Sequence, residues 1–282
     1  MDPLDADGCA SVDAALKAWR QGDCVVGEQW FVFRTDTTRP LTNEGAVAAT
    51  EGTDTAESEV RGFMVLTQTC DLVRKSSERP FVEAYPLVEV DKAQFREIER
   101  SRRPNYAFVP TLADHLLVAD LDRVMTVEKA VVAGWHRVAG WQTDAEARRI
   151  ALALARKRAR AAFPDDFVAF ATPLKRLMSD KHDQQSDYGR ALRALREVRV
   201  RAEPSWTAKK VKLMFWFIRN EDEPTFEDHA WHSFLASWQQ LIPRSGRFVD
   251  VQAVVQTLED LTAREYVESD PLDLDHLTTR NR

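Results

Sequence analysis

The stretch "RGFMVLTQTCDLV", Arg61–Val73, decides the reading of the fold. It holds an apolar run of strand type that ends in a polar tip made of Thr67, Thr69, Cys70 and Asp71. Such a tip either carries chemistry or closes a turn, because short polar side chains readily bond the backbone beside them. Similar runs surround it: "DCVVGEQWFVFR" at 23–34, "FVEAYPLVEV" at 81–90, "YAFVP" at 106–110 and "HLLVADLDRVMTV" at 115–127. Short strands in this number, with no long helix between them, predict an antiparallel sheet closed into a small barrel over about residues 22–130. Closure would leave no exposed edge. "VDAALKAWR", 12–20, predicts a short amphipathic helix ahead of it, and the Thr, Glu, Gly and Ala-rich segment 43–60 predicts a flexible loop.

The second half changes character. Thr143 and Glu146 form a capping-box pattern that opens a helix of about 20 residues, with Pro164 as its stop. A second helix contains Pro173 and is expected to kink or break there, and "YGRALRALREV" at 188–198 supplies a third. The runs 197–206 and 209–220 then read as paired strands, 225–242 as a helix and 248–261 as a further strand, a ββαβ unit. The chain is therefore expected to be α+β, with a barrel domain at 1–135 and a helical plus ββαβ domain at 136–282.

Composition narrows the classes of function. Of the 282 residues, 44% are hydrophobic and 30% charged, which suits packed domains and not a disordered chain. No segment approaches the roughly 20 apolar residues of a membrane-spanning helix, and the start is acidic, so a cytoplasmic protein is expected. A net charge of −6 requires any nucleic-acid binding to come from a local patch. Three cysteines without CxxC spacing predict free thiols. Glycine-rich phosphate loops, dinucleotide fingerprints, HExxH and nucleophile elbows are missing from the sequence, so no cofactor is expected.

Several side chains are candidates for chemistry. Cys70 is a nucleophile only if folding supplies a base such as His115; otherwise it is a small buried residue. Asp120 and Asp122, two apart on an expected strand, share a face and could join Asp71 or Glu83 around Mg²⁺, or form surface ion pairs. His229 and His232 stand one helical turn apart, a spacing for metal ligands as well as for solvent-facing residues. Arg149, Arg156 and Arg160, joined by Lys157 and Arg158, make a basic helix face that suits nucleic acid or internal acidic partners.

The order of "GDCVV", "RGFMVLTQTCDLV", "FVEAYPLVEV" and "LLVADLDRVMTVEKAVV" resembles the MazF/PemK family of toxin ribonucleases over residues 22–135. The resemblance implies an SH3-like barrel with a groove for single-stranded RNA, and catalysis by an arginine with a threonine or serine. Arg61 matches the family arginine, with Gly62 in place of the proline that follows it, and Thr67 falls near the family serine. Leu87 and Val88 stand where the family's catalytic threonine is expected. The expected function is thus a non-catalytic bacterial adaptor that binds a protein partner, in a defence or toxin-linked system. Two alternatives stay open: a metal-independent ribonuclease using Arg61 with Thr67 or Thr69, and a metal-dependent nuclease using Asp71, Asp120 and Asp122.

Overall fold

The computed structural model describes residues 4–101, 103–158, 162–220, 226 and 230–272. The chain divides into two compact units, 1–158 and 159–282. The first comprises α1 (Ala6–Leu16), β1 (Cys24–Arg34), α2 (Asn43–Thr50), β2 (Thr55–Val65), α3 (Thr69–Leu72) and β3 (Phe81–Glu89). It continues with α4 (Lys92–Glu99), β4 (Tyr106–Phe108), a 3-10 turn at Pro110–His115, β5 (Leu117–Asp120), β6 (Met125–Glu128), α5 (Lys129–Ala133) and α6 (Asp144–Arg158).

Its strands form one sheet in the order β1-β2-β3-β5-β4, with β6 also paired to β3. β5 and β6 are two parts of one interrupted strand. Leu87 of β3 faces Ala119, whereas Ala84 faces Met125, so Leu121–Val124 bulge out between them. The expected closed barrel is not formed. β1 approaches β6, but the hydrogen bond between them is to a side chain: the Val32 N–H donates to Met125 Sδ at 3.4 Å. Among the described residues no backbone ladder joins β1 to β4 or β6, and the sheet curls without closing.

Segment 43–60, expected as a loop, holds α2 and most of β2. Thr42 caps α2 by accepting from the Gly45 N–H at 3.0 Å. The first half of β2 escaped the pattern because its inward positions include Ala56 and Ser58 while Glu57 and Glu59 face water; the second half, Arg61–Val65, is the strand read from the sequence. α4, also unforeseen, is capped by Asp91, which accepts from Ala93 and Gln94, and it buries Phe95 and Ile98. α6 lies in the half of the sequence expected to form the second domain. It nevertheless packs Ile150 and Leu154 into the core of the first unit with Met64, Tyr85 and Leu112.

The second unit comprises α7 (Asp165–Lys181), α8 (Asp187–Ala194), β7 (Leu195–Glu203), β8 (Val211–Arg219), α9 (Trp231–Gln240), β9 (Phe248–Gln256), α10 (Ala263–Glu268) and β10 (Asp270–Pro271). α7 runs unbroken through Pro173. The sheet order is β10-β7-β8-β9, with β7 antiparallel and β9 parallel to β8. α9 makes the crossover that a parallel neighbour requires. Phe167, Leu174, Phe215, Phe217, Phe234 and Trp238 form one core, with the Phe217 and Trp238 rings 4.6 Å apart. Both units are α+β, and no described helix is long and apolar enough to cross a membrane.

Candidate functional site

The polar tip of "RGFMVLTQTCDLV" turns out of the sheet at the edge of a cleft of about 470 Å³. β2 ends at Val65, and the chain then clasps β3: Leu66 N–H donates to the Glu83 carbonyl at 2.8 Å, and Glu83 N–H donates to Thr67 Oγ1 at 2.7 Å. Thr69 opens α3 and accepts from the Gln21 N–H at 3.1 Å. Both hydroxyls therefore hold backbone. Gln21 returns through its side chain, which donates to the Leu66 carbonyl at 2.7 Å.

Leu66 and Leu154, both buried, line the cleft. Thr67, Gln68, Gln21, Asp71 and Glu83 add polar groups, Phe81 an exposed ring, and Arg79 and Arg158 the cations. These charges are only loosely paired. Arg79 stands 3.9 Å from Asp71 and Arg158 3.8 Å from Glu83, distances longer than a hydrogen bond. Arg158 is oriented by its Nε, which donates to the Tyr85 hydroxyl at 3.1 Å, and that bond holds the guanidinium still more firmly protonated. The side chain is half exposed and lines the cleft.

The rim is anchored from behind. Lys129 is 1% exposed, and its Nζ donates to the carbonyls of Asp71 at 3.0 Å and Arg74 at 2.6 Å. Burial pulls its pKa below the ordinary lysine value, opposed by the nearby charges of Asp13 and Asp71. The amine ties the 71–74 turn to the start of α5.

Other candidates from the sequence fall elsewhere. Arg61 is exposed on β2, pairs with Glu59 at 3.4 Å and does not line the cleft that Thr67 borders. Cys70 is exposed, and its nearest polar contact is Gln68 Oε1 at 3.7 Å; His115 is no part of this cleft. Asp120 accepts from Arg123 at 2.7 Å and from the Asp122 N–H at 3.0 Å, while Asp122 pairs with Lys157. The interruption of the strand at Leu121 removes the shared face expected of these two aspartates, and each carboxylate has its own cation. Among the described residues no three His, Cys, Asp or Glu side chains are grouped to hold a metal. His232 is exposed, and His229 lies outside the described residues.

Apart from Arg158, the described members of the basic face of α6 are spent on their own unit. Arg149 stacks over Phe108 at 4.6 Å, Arg156 donates to the Ser101 carbonyl, and Lys157 pairs with Asp122. Arg160 lies outside the described residues. Sequence reasoning missed Arg79, Phe81 and Gln21, which have no motif, and placed Arg158 only within the basic face. The spacing of Arg79 ahead of the β3 strand was the available signal, but only the fold brings it opposite Asp71.

Cys24 is wholly buried, and burial together with Asp23 raises its thiol pKa far above the ordinary value, so it is inert. Asp23 is itself fully buried and receives Arg137 Nε at 2.6 Å and the Arg20 N–H at 2.8 Å. This joins the start of β1 to the segment before α6. No protein-family model matches the sequence, and no match was found among curated proteins or solved structures.

Proposed function

We propose that the protein is a non-catalytic adaptor whose first unit holds an anionic group of its partner between Arg79 and Arg158. The observation that carries the reading is the state of the polar groups in the cleft. The hydroxyls of Thr67 and Thr69 accept from backbone amides, while both guanidinium groups keep donors that no carboxylate among the described residues takes up within hydrogen-bond distance. Hydroxyls used this way suit structure. Arginine forks suit a carboxylate or phosphate, which they can grip in bidentate fashion. With this goes a finer reading of the fold, in which the curled sheet is an open relative of the SH3-like barrel and the chain a cytoplasmic component of a toxin-linked or defence system. The motif order over residues 22–135 supports that reading.

Two measurements on the purified chain test the proposal. Labelled single-stranded RNA is incubated with it, with and without EDTA, and no cutting is expected. A fluorescent oligoglutamate peptide and a phosphopeptide are titrated in parallel, and the double change Arg79→Glu with Arg158→Glu is expected to weaken binding of whichever one is held by about tenfold or more. Metal-independent cutting lost in Arg61→Ala would instead establish the ribonuclease, and cutting lost in EDTA the metal nuclease. Binding of neither anion removes the proposal.

A further inference from the structure

The outer face of the β1–β2 ribbon carries a strip that the cleft does not use. Pairing sets Trp30 directly beside Glu59 and Val32 beside Glu57. Strand alternation sends all four away from the core side, where Phe31, Ala56 and Val60 are buried. Trp30 is 51% exposed and Val32 40%, and both glutamates are exposed. Scattered apolar side chains on a surface need no explanation. Here an indole and an isopropyl group lie in line, each against a carboxylate.

The charges on this strip are incompletely matched. Glu59 is shared with Arg61 at 3.4 Å, and Glu57 has no cation partner among the described residues. A chemical partner for such a strip must be cationic at its ends and aliphatic along its stems, as arginine and lysine are. Their stems cover Trp30 and Val32, their heads reach Glu57 and Glu59, and a guanidinium can also stack on the indole. The occupant does not extend the sheet at Val32, because that N–H already meets Met125 Sδ. It lies across the face.

We infer that this face is a docking surface for an extended basic segment of a partner protein. It is independent of the cleft, whose arginines select the opposite charge. Together the two surfaces would let one unit of the adaptor hold two partners of unlike charge.

The test uses the full chain and a fluorescent peptide of alternating arginine and serine, with an alternating glutamate and serine peptide as control, followed by anisotropy. The basic peptide is expected to bind, with Trp30→Ser weakening it about tenfold and Glu57→Arg with Glu59→Arg abolishing it. These side chains are exposed, so unchanged melting temperatures verify folding, and Arg79→Glu is expected to leave basic-peptide binding intact. Binding that survives Trp30→Ser but falls with added salt reports diffuse attraction and overturns the inference. So does sedimentation showing a dimer that Trp30→Ser converts to monomer, because the face would then belong to a second copy.

Discussion

Gly62 shows how one residue fixes the bend of the first sheet. Its φ is +133°, and a Cβ there would stand 2.0 Å from the Val25 carbonyl oxygen. Only glycine lets β2 pass so close to β1 at the bulge between Val26 and Gln29. Gly62→Ala is therefore expected to destabilise the first unit by about 2 kcal/mol or more, read as a lower urea midpoint. An unchanged midpoint would mean that the backbone can relax around the methyl group. The same strictness explains why a proline, which the family resemblance would put here, does not fit this backbone. Lys129 is the opposite kind of residue: a lysine that follows "TVE" has no local reason to be inside, yet folding buries it as a clamp on two carbonyls. The chemistry of a lysine is legible in a sequence; its depth is not.

At the scale of elements, local signals served best where a cap or a period was complete. The Thr143 and Glu146 pattern forms as read, with Glu146 accepting from the Gln142 and Thr143 N–H groups and Thr143 Oγ1 accepting from Glu146. The start of α7 depends instead on a distant residue. Arg247, just before β9, grips Asp166 through Nε at 2.5 Å and a second nitrogen at 2.8 Å, and also donates to the carbonyls of Trp206 and Ala208. That grip lowers the Asp166 pKa below the ordinary carboxylate value. A lowered folded-state pKa means stability fully present above the unfolded value, about 3.9, and lost as pH falls through the folded one. Asp166→Asn should then lower stability near neutrality by only about 0.5 kcal/mol, because the pair is solvent-screened. The difference between variant and parent should vanish in strong acid. Parallel curves for the two proteins down to low pH would refute this role.

For the molecule as a whole, each unit has its own sheet and its own buried cluster. Polypeptides 1–158 and 159–282 are each expected to unfold cooperatively, with near-ultraviolet dichroism in the native state. A first fragment cut at 135 should lose much of that signal, because it lacks Ile150 and Leu154. Failure of 1–158 to fold alone would show that the boundary lies elsewhere. The adaptor reading belongs at this scale too, since the cleft combines α3, β3 and α6 with the segment ahead of β1.

Sequence alone determined the α+β class, most strands, the capped helix and the ββαβ order, because these follow from local periodicity, turn chemistry and caps. Tertiary structure decided that the sheet stays open, that the polar tip of "RGFMVLTQTCDLV" clasps backbone, and that Arg79 and Arg158 share a cleft while Arg61 lies outside it. Those outcomes depend on where segments distant in sequence come to rest and on which hydrogen-bond donors they leave unused. Neighbouring residues carry no record of either.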